Sequence, residues 1–413
     1  MSLILAQHYR VLMLVAMVAT ANSAPLSWSY AAGNYSWAVA VSGDGRYAIA
    51  GSDDMQTYFF HTAEGVPLWS HPANGYVRHV AISRDGTYAA SGDMDGTILL
   101  LRFDGARVSF SSFKADSAIE ALAMSDSGEY LAAGDRSGNM YIFQDQALSA
   151  VLRNKVPGGV LAIALAESMA FAVTAAQGGL YFFDEATSHS AHAWSFGEDT
   201  TLAQLAMTSD SSHILAGGND GNIYLLDNSG RLVDRRDAGG AISALSISDV
   251  THLTIVGTVS GTISLYSADA GFNNGESLET GNPITSAAIS KNGRRISVAN
   301  LQGTVSTFDG SLRAPLWTYD AGGIVHSLSL SRDGRVLAAA SDTGSIYLFD
   351  EGEAAGADNR GLFVQLPILA VLAVTVTVCT ILLRRRDKSK RLRNETNEGH
   401  ASDLASSFAK RAG

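Results

Sequence analysis

Cysteine is almost absent from this chain of 413 residues. The one cysteine, Cys379, lies in an apolar stretch, so no intramolecular disulfide can form and stability must come from packing. Motifs of several enzyme classes are also missing: there is no Gly-x-Ser-x-Gly elbow, phosphate-binding loop, paired-cysteine metal knuckle or His-Glu-x-x-His sequence. We therefore expect no catalytic residues, no cofactor and no metal site.

Basic residues are outnumbered, with 29 Lys and Arg against 40 Asp and Glu and a net charge of −11. The residues from Arg384 onward carry nine basic and four acidic side chains, so the rest of the chain is even more acidic than the total. Nucleic-acid affinity depends on phosphate neutralisation by Lys and Arg. This balance argues against nucleic acid as a partner.

A repeat of 40 to 42 residues fills most of the chain. It is marked by one apolar position in each copy: Val41, Ile82, Met124, Leu165, Met207, Ile247, Ile289 and Leu330. A period near forty with several short strands per unit is typical of a β-propeller. The count predicts eight blades.

The last copy shows the strands most clearly, as runs at His326–Ser331, Val336–Ser341 and Ser345–Phe349 separated by Asp-Gly and Thr-Gly turns. It lacks a fourth strand, whereas a strand-like segment, Leu26–Tyr30, precedes the first copy. We expect this segment to supply the outer strand of the last blade and so close the ring without a second chain. Non-glycine residues replace the usual turn glycine at Met55, Met169, Ser211 and Thr251, where we expect altered or strained turns.

Both ends of the chain differ from the repeat. Residues 1–21 have the plan of a secretory signal peptide, and 362–383 are 22 uncharged residues followed by a basic cluster beginning at Arg384. We therefore divide the chain into a signal peptide at 1–21, the propeller at 26–351, a linker at 352–361, a transmembrane helix at 362–383 and a basic cytoplasmic tail at 384–413. The predicted fold class is an all-β, eight-bladed propeller closed by an N-terminal outer strand, plus one C-terminal transmembrane helix.

Copies such as PLWSHPANGYVRHVAISRDGTYAASGDMDGTILLLRFDG resemble the WD-repeat and quinoprotein-like propeller superfamily, and especially repeats of membrane-anchored archaeal proteins. Strand ends read Phe-Asp or Leu-Asp instead of the Trp-Asp of WD repeats. Residues 63–69, AEGVPLW, also resemble the Trp-bearing blade motif of pyrroloquinoline-quinone dehydrogenases. The adjacent cysteine pair that many of those enzymes carry cannot exist with one cysteine.

One position near the start of each inner strand varies while its neighbours stay uniform. It holds Trp37, Arg78, Glu120, Leu161, Ala203, Ser243, Thr285 and His326. These residues should ring one mouth of the central channel, and Trp37, Arg78, Glu120 and His326 are types suited to binding a partner. The alternative is a solvated rim without a specific role.

Two groups of residues could bind metal. His189 and His192 are three residues apart in a loop between blades, without an obvious third ligand. The second-turn acids Asp53, Asp54, Asp93, Asp95, Asp135, Asp220 and Asp342 should share one face. Local turn chemistry accounts for them, with Ca²⁺ binding as the alternative.

The sequence thus favours a non-catalytic scaffold at the cell membrane, with an extracytoplasmic propeller that binds a protein, peptide or surface polymer. The alternatives are a quinone- or metal-dependent oxidoreductase and a ligand sensor at the cell surface. No obligate oligomer is implied.

The topology predicts an outcome for protease treatment of intact cells. Protease should cut propeller loops and spare an epitope placed in the 384–413 tail, because the tail should lie behind the membrane. Immunoblotting for both regions measures this, with detergent-permeabilised cells as the control. A protected propeller with an accessible tail would reverse the assignment.

Overall fold

The computed structural model describes residues 22–144, 152–167, 171–175, 179–183, 192–197, 200–272 and 275–352, and the regular elements within them are all β-strands. In chain order the strands are β1 Asn22–Ser23, β2 Leu26–Ala31, β3 Ser36–Val41, β4 Tyr47–Ser52, β5 Gln56–His61, β6 Pro67–Pro72, β7 Val77–Ile82, β8 Tyr88–Asp93, β9 Thr97–Phe103, β10 Val108–Lys114, β11 Ile119–Met124, β12 Tyr130–Asp135, β13 Asn139–Gln144, β14 Leu152–Lys155, β15 Val160–Leu165, β16 Phe171–Ala175, β17 Leu180–Phe183, β18 Trp194–Phe196, β19 Leu202–Met207, β20 Ile214–Gly218, β21 Asn222–Leu226, β22 Leu232–Asp237, β23 Ile242–Ile247, β24 Leu253–Thr258, β25 Thr262–Ser267, β26 Glu276–Glu279, β27 Ile284–Ile289, β28 Ile296–Asn300, β29 Thr304–Phe308, β30 Pro315–Asp320, β31 Val325–Leu330, β32 Val336–Ser341 and β33 Ser345–Asp350.

The described strands form eight sheets, and each contains the antiparallel strands of one repeat. We number them as blades 1 to 8: β3–β6, β7–β10, β11–β14, β15–β18, β19–β22, β23–β26, β27–β30, and β31–β33 with β2. The first strand of each blade contacts the first strand of the next, and β31 contacts β3, so the inner strands form a closed ring. The hydrophobic core is divided among the interfaces between neighbouring sheets.

The N-terminal strand closes the ring, as the sequence predicts. β2 pairs antiparallel with β33, placing Trp28 opposite Leu348 and Tyr30 opposite Ile346. The Trp28 ring lies 5.2 Å from that of Phe60, and its indole N–H donates to the carbonyl of Thr62 at 2.7 Å. The sequence did not predict β1, which adds to blade 7 as a fifth, parallel strand.

The predicted fold class needs one correction, because it includes a helix. The regular structure in the described residues consists of strands, and no helix there could span a membrane. Residues 362–383, to which the sequence assigned a transmembrane helix, lie outside the described residues, as do 1–21 and 384–413. Within the described residues the fold is therefore all-β, and the helix that the prediction added is not part of it.

Adjacent blades meet closely because glycine recurs in their second strands. A Cβ atom on Gly134 would lie 2.4 Å from Val160 Cγ1 of the next blade. Such a distance is far below van der Waals contact, so a larger residue would force the sheets apart. The same pairing of a second-strand glycine with the first apolar residue of the next inner strand recurs in five places: Gly51 with Val77, Gly92 with Ile119, Gly134 with Val160, Gly217 with Ile242 and Gly257 with Ile284.

Every inner strand carries a β-bulge at the same place. In blade 1 the pairing with β4 shifts between Ser36 and Ala38, which leaves Trp37 without a cross-strand partner. The equivalent shifts fall at Arg78, Glu120, Leu161, Ala203, Ser243, Thr285 and His326. A bulge re-aims a side chain out of the normal alternation. The variable position identified in the sequence is thus the bulge residue of all eight blades.

Two of the turns that lack glycine still adopt the left-handed conformation. Met55 and Ser211 have φ values of 63° and 60°, like the glycines in other copies. In blade 6 the left-handed residue is His252, with φ 49°, one position after Thr251. The expected strain at these turns is confirmed, since a side chain at positive φ costs about 1 kcal/mol. Met169 lies outside the described residues.

The closing strand makes a testable contribution to stability. Trp28→Ala removes a half-buried aromatic contact and a hydrogen bond, so we expect a loss of about 2–4 kcal/mol in the free energy of unfolding. Urea denaturation followed by far-UV circular dichroism measures it. Phe110→Ala is the matched control, because this outer-strand ring is 54% exposed and closes no ring. Equal effects of the two substitutions would contradict the closing role of β2.

Candidate partner-binding face

Three of the four predicted mouth residues meet in one stack. The rings of Trp37 and His326, from blades 1 and 8, are 4.0 Å apart at 24°, and the guanidinium carbon of Arg78, from blade 2, lies 4.5 Å from the Trp37 ring centroid. A guanidinium over an indole is the most favourable cation–π geometry. Because neighbouring bulges turn these side chains toward each other, the stack depends on the order of blades 8, 1 and 2.

Charged neighbours hold the stack in place. Arg78 donates from Nε and Nη2 to the two carboxylate oxygens of Asp53, at 3.3 and 3.2 Å. Burial lowers the pKa of His326, and the carboxylate of Asp342 opposes this shift. A lowered pKa favours the neutral imidazole, which can stack beside a cation without repulsion. The indole N–H of Trp37 is buried and has no acceptor among the described residues.

Glu120 is paired elsewhere. Its carboxylate accepts from Arg136 Nε at 2.6 Å, within blade 3. The two side chains form an exposed ion pair, and such pairs contribute little to stability. The fourth predicted residue therefore lies on the same face but is bound to the second turn of its own blade.

Sequence reasoning missed two tyrosines beside the stack. Tyr35 and Tyr76 directly precede β3 and β7 and are 50% and 42% exposed. Arg78 also lies 5.6 Å from the ring of Tyr76. The signal was present in the sequence, because the equivalent positions of the other copies hold Ala118, Gly159, Thr201, Ala241, Pro283 and Ile324. We call Tyr35, Trp37, Tyr76, Arg78 and His326 the mouth cluster.

The rest of this face is different in character. The bulge residues of blades 5, 6 and 7 are the small Ala203, Ser243 and Thr285, and the second turns of blades 6 and 7 expose Val259 and Leu301. The face therefore has large aromatic and cationic side chains on one side of the channel. On the other side the bulge residues are small, and exposed apolar residues lie beside them. These groups are suited to binding, since aromatic residues and Arg dominate interface hot spots.

The opposite end of the channel carries a ring of charges that the sequence analysis did not identify. The second residue after each inner strand is Gly43, Arg84, Asp126, Glu167, Ser209, Asp249, Lys291 and Arg332 in turn. Lys291 of blade 7 bonds to Asp126 of blade 3, across the axis, and also lies 3.0 Å from Asp249. Arg332 reaches Asp126 at 3.1 Å. The pair of Lys291 and Asp126 joins opposite blades and crosses the channel at this end.

The pKa of Asp249 in this ring depends on its burial and on its charged and polar neighbours. Burial alone would raise the pKa of Asp249, but the ammonium of Lys291 and hydrogen bonds from Ser209 hold the pKa below its usual value. A lowered pKa in the folded state means that ionised Asp249 stabilises the fold above its unfolded-state pKa. This contribution disappears as the pH falls through the lowered folded-state value.

The second-turn acids serve their own turns. Asp93 Oδ1 accepts the backbone N–H groups of Asp95 and Thr97 at 3.0 and 2.7 Å, and Asp135 does the same for Ser137 and Asn139. The turn role predicted from the sequence is confirmed for these two. Of the histidine pair, His192 is exposed and His189 lies outside the described residues.

The charged ring predicts a stability difference. Lys291→Met leaves the half-buried Asp126 and Asp249 short of a cation, so we expect a loss of about 1–3 kcal/mol at pH 7. The loss should shrink as the pH falls through the lowered pKa of Asp249, because a protonated carboxyl no longer needs the ammonium. Chemical denaturation at several pH values measures it. Lys155→Met, at an exposed site, is the control, and a pH-independent loss would contradict the assignment.

Comparisons with known proteins agree on the fold. Residues 94–251 match the model of outer membrane protein assembly factor BamB, and 65–100 and 313–350 match the WD domain, G-beta repeat. No curated protein matches the sequence.

Solved structures with the same architecture include Saccharomyces cerevisiae Sqt1, at 14% identity and a TM-score of 0.69, covering 80% of this chain and 99% of that one. Chaetomium thermophilum Sqt1 bound to the N-terminus of ribosomal protein L10 has 15% identity and a TM-score of 0.69, covering 79% and 100%. The C-terminal WD40 domain of Sif2 has 15% identity and a TM-score of 0.67, covering 80% and 99%. The expected resemblance to archaeal membrane-anchored proteins finds no support in these matches. Together with the eight sheets, they place the chain in the β-propeller superfamily.

Proposed function

We propose that this protein is a non-catalytic scaffold whose propeller binds an extended segment of a partner protein at the mouth cluster. The observation that carries the proposal is the stack of Trp37, Arg78 and His326 flanked by the exposed rings of Tyr35 and Tyr76. Trp, Tyr and Arg are the residues most enriched at the hot spots of protein interfaces. The fold fixes these side chains in advance, so little conformational entropy is lost on binding.

The shape of the face favours a peptide segment. The mouth cluster stands on one side of the channel, and the small bulge residues of blades 5 to 7 stand on the other. A segment laid across the mouth would contact the aromatic groups and the exposed Val259 and Leu301 together. Chaetomium thermophilum Sqt1, a propeller of the same architecture, is described as bound to the N-terminus of a ribosomal protein. That likeness supports the mode of binding and says nothing about the partner's identity.

We further infer that the propeller works outside the cytoplasm, at the cell membrane. The signal-like residues 1–21 and the uncharged segment 362–383 with its basic flank support this location. In that location the partner could be a surface polymer instead of a protein. The choice between them depends on what the mouth cluster captures.

A photo-crosslinking amino acid at position 76 tests the proposal. Incorporated in place of Tyr76, it should capture a discrete partner in cells, whereas the same probe at Val250, 62% exposed on the opposite face, should not. The captured protein is then identified and its binding to the purified chain measured by calorimetry.

Variants complete the test. Tyr35→Ser and Tyr76→Ser are exposed and should leave the fold intact, and Arg78→Ala removes the cation from the stack. For hot-spot residues each change should cost about 2 kcal/mol, or roughly 30-fold in Kd. Equal capture from both faces, or affinity unchanged in all three variants, would remove the mouth cluster as the binding site. Capture of a carbohydrate polymer alone would favour the other class of partner.

A further inference from the structure

Two histidines and an aspartate from neighbouring blades converge on the face opposite the mouth cluster. His213 directly precedes β20 of blade 5, His252 directly precedes β24 of blade 6, and Asp269 follows β25. The imidazole rings are 4.5 Å apart. His213 Nε2 lies 3.4 Å from Asp269 Oδ1, and His252 Nδ1 lies 2.7 Å from the same oxygen. One donor atom from each residue falls within 4.8 Å of the other two.

We propose that His213, His252 and Asp269 form a binding site for a divalent transition metal such as Zn²⁺, which would tie blade 5 to blade 6. Two imidazoles and one carboxylate suit Zn²⁺, Cu²⁺ or Ni²⁺ better than Mg²⁺ or Ca²⁺, which prefer all-oxygen ligands. The three protein donors leave a fourth position for water, as in open zinc sites.

The distances fit a metal after a small movement. Ligands about 2.0–2.1 Å from Zn²⁺ at tetrahedral angles are about 3.3–3.5 Å apart, close to the observed separation of His213 Nε2 and Asp269 Oδ1. The shorter contact, between His252 and Asp269, is a hydrogen bond that coordination would replace. Asp269 can move to allow this, because its side chain is 60% exposed.

The surroundings orient the first histidine. His213 Nδ1 lies 2.9 Å from the hydroxyl of Ser212, which leaves Nε2 facing the other two residues. A hydrogen bond to the far ring nitrogen is the usual way that proteins orient a metal-binding imidazole. His213 is also half-buried, with 19% of its side chain exposed, so its position is fixed by packing as well.

The backbone supports the second histidine. His252 adopts a left-handed φ of 49° where most copies of the repeat have glycine at this turn. Its backbone N–H donates to Ser248 and its carbonyl accepts from Ala268, so the turn and the loop that carries Asp269 are joined. A strained residue with a functional side chain at such a place is typical of binding sites. The sequence analysis predicted no metal site, and it singled out His189 and His192 instead.

Isothermal titration of Zn²⁺ into the purified, tag-free full chain tests the proposal. We expect saturable binding of one Zn²⁺, with no competition from Mg²⁺. His213→Gln and Asp269→Asn should each weaken binding by more than the roughly 10–100-fold that loss of an outer-shell partner costs. His252→Asn removes the imidazole while keeping a residue that tolerates positive φ. Circular dichroism in EDTA checks that each variant is folded.

His192→Gln and Cys379→Ser are the matched controls, because each removes a potential zinc ligand outside the proposed site; both should bind Zn²⁺ like the parent chain. With Cu²⁺ as the probe, electron paramagnetic resonance should show two nitrogen ligands in the parent and one in His213→Gln. Absence of saturable Zn²⁺ binding would overturn the proposal. Binding that survives both His213→Gln and Asp269→Asn, or that is lost in His192→Gln, would also overturn it.

Discussion

The close approach of neighbouring sheets near the axis is the constraint on which the rest of this structure depends. Five of the eight blades lay the first apolar residue of the inner strand, such as Val160, against a second-strand glycine of the preceding blade, here Gly134. These apolar residues are almost fully buried. Since no disulfide is possible, stability comes from such contacts repeated around the ring. The strand β2 matters for the same reason, because it supplies the sheet edge that the last repeat lacks.

The bulges turn this packing into a binding surface. The residue before each bulge is fixed in the interface between blades, and the bulge residue itself is turned out of the sheet's alternation. The core therefore does not dictate which side chain occupies the bulge, so that position can vary from blade to blade while its neighbours cannot. At the other end of the inner strands, side chains long enough to cross the axis meet as ion pairs, most clearly Lys291 with Asp126. One scaffold thus offers an aromatic face at one end of the channel and a charged closure at the other.

Much of the fold was predictable, and the candidate site only in part. The strands expected in the last repeat fall within one residue of those observed. The helix included in the fold class was wrong for the described residues, whose regular structure consists of strands. Trp37, Arg78 and His326 were correctly placed on one face and do meet. Glu120, chosen on the same grounds, is held by Arg136 of its own blade instead. Tyr35 and Tyr76 were missed although their departure from the repeat was visible.

The sequence by itself determined the repeat, the strand boundaries, the turns and the closing strand, because these follow from local spacing, side-chain size and the conformational freedom of glycine. Only the tertiary structure decided which side chains from separate repeats come together. His213 and His252 are 39 positions apart, and Lys291 and Asp126 are 165 apart, yet each pair is in contact. The physical reason is that such meetings depend on the direction of a bulge or turn, the reach of a side chain and the width of the ring at that level. None of these is set by the period of the repeat.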